Sequence, residues 1–111
     1  MILLWPIKAL GIVNKLIILL SFPNNPTGFI PTREEVDEMI DNLKEIYSNY
    51  HIPIIILVDD AYEPYVFSDK VIQRSIFYDL QQLEENIIPI KLDGITKELL
   101  MYGGRVGFAT I

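Results

Sequence analysis

The chain contains no cysteine. Disulfides and thiolate metal sites are therefore excluded, and the composition suits a reducing, cytoplasmic setting. Positive charge is also scarce: Lys and Arg number 9 against 15 Asp and Glu, a net charge of −6. No basic stripe is available to displace counterions from phosphates, which argues against nucleic acid as a partner. One small anion held locally remains compatible with that balance. No basic region precedes the apolar stretch Met1-Ile2-Leu3-Leu4-Trp5-Pro6, as a secretory signal would require. Pro6, Lys8 and Lys15 also interrupt the apolar run, whereas a membrane span needs roughly 20 mostly apolar residues, so no membrane association is expected. No repeat, low-complexity run or linker is visible. Residues 1–14 read as a leading helix or connector.

What is present is apolar bulk in a short chain. The 111 residues allow one domain at most, and 50% of them are hydrophobic, more than a small domain with much of its surface in water should carry. Two causes fit. Strands of a parallel sheet buried on both faces read as continuous apolar runs. Surfaces built to meet other parts of a larger protein would add to the excess. Residues 1–111 are therefore expected to be a single partial domain.

The pattern alternates strand and helix. Lys15 to Phe22 is a short, branched, buried-looking strand that ends in the turn cluster Pro23-Asn24-Asn25-Pro26-Thr27-Gly28. Thr32 opens a helix, with Glu35 at capping-box spacing and further acids in the first turn. Val36, Ile40, Leu43 and Ile46 give that helix one apolar face, and its signals fade near Ser48-Asn49-Tyr50. Pro53 to Val58 is the second strand, delivering Asp59 and Asp60 at its end. A second helix is expected over Ser75–Glu85, a third strand over Ile87–Leu92, and a fourth over Arg105–Ile111. Pro89 suits the start of a strand better than its centre.

The order β-α-β-α-β-β implies right-handed crossovers in a mainly parallel sheet, with an antiparallel last strand because the last connection is too short for a crossover. The expected class is a three-layer α/β fold with helices on the faces. Ligands in such sheets bind beyond the carboxyl ends of the strands. Three polar clusters fall there: Asn24/Asn25, Asp59/Asp60/Tyr62 and Asp93/Thr96/Lys97.

Taken singly, each group has a structural reading: a turn for Asn25-Pro26-Thr27-Gly28, a helix cap for Asp59, packing for Tyr62, a solvated lysine for Lys97, an ion pair for Arg105. Taken in order, N-P-T-G at Asn25, D-x-A-Y at Asp59, Thr96-Lys97 and R-x-G at Arg105 form one pattern. The chain resembles the fold-type I pyridoxal-phosphate (PLP) enzymes, specifically class I/II aminotransferases, from about Lys15 to Ile111. It would represent a middle part of the large cofactor-binding domain.

The resemblance implies a role for each residue. Lys97 would form the Schiff base with the cofactor and shuttle the substrate proton. Asp59 would pair with the pyridinium nitrogen, Asn25 and Tyr62 with the ring oxygen, and Arg105 with the phosphate. A cis bond is expected at Asn25-Pro26. Lysine suits the proton role because burial near cationic cofactor groups lowers its pKa. One departure is Gly94, which stands where the family usually has a phosphate-binding Ser; Thr96 and main-chain N–H groups are the remaining donors. The implied reaction moves an amino group between an amino acid and a 2-oxo acid, in a homodimer or other homo-oligomer. Other PLP chemistry, such as a lyase or decarboxylase, and a non-catalytic unit retaining the motif are the alternatives. The isolated chain lacks an upstream phosphate loop, a ring-stacking aromatic and a downstream substrate arginine, so little or no turnover is expected from it alone.

Overall fold

The structure is a computed structural model, and it describes residues 14–111. The leading helix or connector expected over residues 1–14 lies almost wholly outside the described residues. Four strands form one sheet in the order β1-β2-β3-β4. They are β1 (Leu16–Ser21), β2 (Ile54–Asp59), β3 (Ile87–Gly94) and β4 (Gly107–Thr110). The β1–β2 and β2–β3 pairs are parallel, and β3–β4 is antiparallel, as the short last connection requires.

Helix α1 spans Arg33–Tyr50. Its start is set by a complete capping box: the Glu35 amide donates to the Thr32 hydroxyl at 3.2 Å, and the Thr32 amide donates to the Glu35 carboxylate at 2.8 Å. Its end is set by His51, whose left-handed backbone (φ 52°) turns its N–H back onto the Tyr47 carbonyl at 2.8 Å. The buried face is Val36, Met39, Leu43 and Ile46, with Ile40 partly buried at its edge.

These side chains meet Ile54, Ile56 and Val58 of β2, Ile87 of β3, and Ile76, Phe77 and Leu80 around the second helix. Each such burial contributes about 1.5–3 kcal/mol. Truncating the fully buried Ile56 to Ala would cost about 2–5 kcal/mol.

The second helix is shorter than expected. Helix α2 covers Phe77–Leu80, against the expected Ser75–Glu85. After it the amides of Gln82 and Leu83 bond three residues back, to Asp79 and Leu80, in single tight turns. Glu84 and Glu85 would place acids at a helix C-terminus, where the dipole disfavours them. A third short helix, α3 (Ile95–Glu98), follows β3 directly and was not anticipated as a helix.

Both α1 and α2 pack on the same sheet face. The strands advance in one direction, so two crossovers of the same hand must return over one side. Among the described residues α1 and α2 therefore cover one face of the sheet. On the other face Ile17 and Leu19 of β1 are 55% and 66% exposed.

Two strand details also differ. Pro89 sits inside β3, not at its start. It is tolerated because β4 pairs only with Lys91–Gly94, leaving one edge of β3 unpaired at Pro89. Strand β4 begins at Gly107, so Arg105 precedes it, with φ 46° in the left-handed region.

Candidate functional site

The carboxyl ends of β1, β2 and β3 lie side by side, because Ser21 pairs with Asp59 and Asp59 with Leu92. The loops leaving those ends carry the residues that the sequence singles out. After β1, Asn24 and Thr27 hold the turn. The Thr27 hydroxyl donates to the Asn24 side chain at 2.7 Å, and Gly28, at φ 70°, donates its amide to the Asn24 carbonyl at 2.7 Å. A φ of that sign suits glycine. With Asn24 closing the turn, Asn25 is left to face outward. The Asn25-Pro26 bond is cis, as expected, and Phe22-Pro23 is cis as well.

The Asn25 amide donates to the Tyr62 hydroxyl at 3.2 Å, joining the first loop to the second. Asp59 ends β2, half-buried, and one carboxylate oxygen accepts the Ala61 amide at 3.1 Å.

Lys97 lies on α3. Its ammonium sits 5.3 Å from the centroid of the Tyr62 ring and 5.8 Å from that of Tyr102, cation–π range on both sides. The Tyr65 hydroxyl donates to the Lys97 main-chain carbonyl at 2.8 Å.

The lysine pKa departs from expectation. It lies above the ordinary value, chiefly through the Tyr62 hydroxyl and then through charge attraction to Tyr62, with desolvation opposing weakly. The resemblance had suggested a lowered value. In the chain by itself the neighbours of Lys97 are aromatic and hydroxylic, and they favour the ammonium.

Two clefts meet at Lys97. One, of about 840 Å3, is lined by Asn25 and Tyr62 together with Phe29, Tyr65, Phe67 and Tyr102. The other, of about 450 Å3, is lined by Asp59, Gly94, Thr96 and Arg105. The structure thus brings Asn25, Tyr62 and Lys97 together on one side and Asp59, Lys97 and Arg105 on the other. This donor set fits PLP: an amine for an aldehyde, an acid for a ring nitrogen, donors for a ring oxygen and a guanidinium for a phosphate.

Two members of the expected strand-end clusters have a different job. Asp60 is 3% exposed and turned away from Asp59, since successive strand residues face opposite sides. It accepts the Ser75 hydroxyl and lies 3.4 Å from the Lys91 ammonium. Burial raises its pKa to about 6, against the lowering effects of Ser75 and Lys91. Asp93 accepts Lys91 at 2.7 and 2.8 Å, and Glu63 accepts it at 2.8 Å. The carboxylates of Asp60, Glu63 and Asp93 come within 4.8 Å of one another, the spacing of a metal site, but the Lys91 ammonium already fills their centre. Burial works to lower the Lys91 pKa, yet the bonds to Asp93 and Glu63 outweigh it and the net shift is upward.

Sequence reading missed Lys91, Glu63, Tyr65 and Tyr102. Lys91 carried a usable signal, as a charge at an inward position of an otherwise apolar strand. Tyr65 carried none, because the Lys97 carbonyl that it bonds lies 32 residues along the chain.

Comparison with known proteins gives the family. Residues 8–111 match the family described as Aminotransferase class I and II. A tyrosine aminotransferase from Caenorhabditis elegans is 30% identical over 98 residues, which cover 88% of this chain and 19% of that protein. An LL-diaminopimelate aminotransferase from Lachnospira eligens is 34% identical over 95 residues, 86% of this chain and 21% of that protein. The crystal structure of an aromatic aminotransferase from Pyrococcus horikoshii OT3 superposes with a TM-score of 0.59 at 25% identity, over 93% of this chain and 25% of that one. The chain therefore spans roughly a fifth of the length of the curated relatives it matches. No described helix is long and apolar enough to cross a membrane. The chain belongs to the class I and II aminotransferases, a PLP-dependent family.

Proposed function

We propose that this chain forms the cofactor-binding core of an aminotransferase that moves an amino group between an amino acid and a 2-oxo acid. The observation that carries the reading is the convergence of Asn25, Tyr62, Asp59 and Arg105 on two clefts that share Lys97. PLP, when bound, supplies an aldehyde to take up the amino group and a ring to accept electrons.

The chain's residues have separate tasks. Asp59, with one oxygen fixed by the Ala61 amide, presents the other to the pyridinium nitrogen. Asn25 and Tyr62, bonded to each other, hold the ring oxygen. Arg105 takes the phosphate, with Thr96 beside it in the same cleft. Lys97 would hold the cofactor through its amine and would carry the proton to and from the substrate α-carbon. That work needs a neutral amine. Its neighbours in the chain alone raise its pKa, chiefly through the Tyr62 hydroxyl.

The relatives are more than four times the length of this chain, so the isolated chain should turn over slowly or not at all. A homodimer, or other homo-oligomer, and a cytoplasmic location belong to the same reading. Exposed Ile17 and Leu19, on an apolar face that parallel sheets normally cover, support burial against more protein. The printed names of the relatives include both a tyrosine and an LL-diaminopimelate enzyme at similar identity, and so leave the amino donor open.

The test is an absorbance titration of the purified chain with PLP beside Lys97→Ala. A visible band that needs Lys97 is expected. Its absence, or indifference to Lys97→Ala, would favour a non-catalytic unit that keeps the family motif by descent.

A further inference from the structure

Asp93 poses a difficulty for the smaller cleft. It lines that cleft beside Thr96, Lys97 and Arg105, where the phosphate is assigned. The pairing of β3 with β4 brings it close. Gly94 pairs with Gly107, two residues after Arg105, and the Ile95 amide donates to the Val106 carbonyl at 3.2 Å. A carboxylate turned toward an anion there would oppose its binding, because like charges close together repel at a protein surface.

Lys91 removes the difficulty. Strand alternation puts Lys91 and Asp93 on the helix side of β3, and Leu92 on the other side with its partner Asp59. The Lys91 ammonium donates to both oxygens of Asp93, at 2.7 and 2.8 Å, and so fixes that carboxylate on the helix side. Glu63 accepts the same ammonium at 2.8 Å, and Asp60 lies 3.4 Å from it. Burial works against the charge on Lys91, yet its bonds to Asp93 and Glu63 outweigh burial, and the ammonium persists.

Stability alone does not account for this cation. A buried ion pair is often no better for a fold than apolar residues of the same size. Lys91 continues the buried row of Ile87 and Pro89, where an apolar side chain would pack. Three acids share its one charge. Of these three, Asp93 is the one that lines the cleft, and it receives two of the ammonium's bonds.

We infer that Lys91 is a positioning residue for the phosphate: it neutralises Asp93 and holds its carboxylate under the sheet, so that the anion meets Arg105 without a facing acid. The inference rests on the aminotransferase reading above and adds a residue to its site.

The probes are inorganic phosphate, PLP and pyridoxal, each titrated into the purified chain and its variants. Amide NMR signals of residues 94–97 and of Arg105 report phosphate, and absorbance reports the other two. Lys91→Met should weaken phosphate and PLP by about threefold to tenfold and leave pyridoxal unchanged. Adding Asp93→Asn to Lys91→Met should return both to the parent's affinity. Because Lys91→Met also costs stability, the pair is made again with Asp60→Asn and Glu63→Gln in both proteins. These changes relieve the repulsion and leave Asp93 as the one acid of the cluster, and the same recovery with Asp93→Asn is expected. Unchanged phosphate affinity on loss of Lys91, a loss that Asp93→Asn does not restore, an equal loss with pyridoxal, or no phosphate-dependent shifts in the parent would overturn the inference. The Lys97-dependent band separates it from the reading beneath it. Loss and recovery with inorganic phosphate but no band would remove the cofactor role and keep Lys91 as the positioning residue of an anion cleft. A band whose PLP dependence is indifferent to Lys91 would keep the enzyme and remove the positioning role.

Discussion

Tyr65 ties down the segment that carries Lys97, its hydroxyl donating to the Lys97 main-chain carbonyl at 2.8 Å across 32 residues of chain. Helix α3 spans only Ile95–Glu98, too short to be stable by its own hydrogen bonds. Its order must come from what touches it. Tyr65 also stands edge-on to Tyr62, so one residue sets both the lysine's backbone and the ring beneath its ammonium. Tyr65→Phe keeps the ring and removes the bond. It should cost about 1 kcal/mol in urea melts. Amide exchange across residues 98–102 should accelerate more than exchange in β2. Equal acceleration in both would mean that the bond supports the whole fold and not α3 in particular.

Lys91 holds three carboxylates at the mouth of the sheet. It is 8% exposed and reaches Asp60, Glu63 and Asp93 from β3. Lys91→Met would leave these acids close together with no cation, at a cost of about 3–5 kcal/mol near neutral pH. The loss should shrink at pH 4, where protonation relieves the repulsion. Melts of both proteins at the two pH values check this, and a loss that does not change with pH would show that the ammonium contributes packing and not charge.

Much of this was legible in the sequence because it is local. Thr32 and Glu35 announce their helix three residues apart, and the apolar runs of β1 to β3 need no partner to be read as buried strands. The five candidate residues stand out through motif order, and strand-end placement brings them to one end of the sheet. What escaped depends on distant pairing or on direction. Asp60 and Asp93 share the polar look of Asp59, but strand alternation turns Asp60 under the sheet, where Lys91 waits. The length of α2 escaped because the apolar spacing of Ile76, Phe77, Leu80 and Leu83 fits a helix, while Glu84 and Glu85 end it earlier.

Asp60 should make stability depend on pH in an identifiable window. Its folded pKa is about 6 against 3.8 unfolded, because burial favours the neutral acid. A raised carboxyl pKa means that the folded state binds the proton more tightly. The contribution is therefore complete below pH 3.8 and is lost as pH rises through about 6. The shift corresponds to roughly 3 kcal/mol between those limits. Asp60→Asn keeps an acceptor for the Ser75 hydroxyl and cannot titrate. The stability difference between the two proteins should change across that window in favour of the variant as pH rises, and level off above it. A difference that stays flat from pH 4 to 7 would show that Lys91 keeps Asp60 ionised throughout.

Gly94 stands where the resemblance led one to expect a serine, and its geometry says what a serine would do there. The residue has φ −160° and ψ 141°, ordinary extended backbone that any side chain accepts. A Cβ would meet nothing closer than the Val106 carbonyl oxygen at 3.5 Å, an ordinary contact. Gly94 also lines the cleft that holds Asp59, Thr96 and Arg105, so an added hydroxyl enters beside the guanidinium assigned to the phosphate. Gly94→Ser should therefore fold as well as the parent, and lower unfolded-state entropy should add about 0.4–1 kcal/mol. A hydrogen bond to a charged phosphate contributes about 1.5–3 kcal/mol, so PLP should bind at least about tenfold tighter by absorbance titration. Pyridoxal, which lacks the phosphate, should bind both proteins alike. Equal tightening of pyridoxal would place the hydroxyl on the ring side and reverse the assignment of Arg105 to the phosphate.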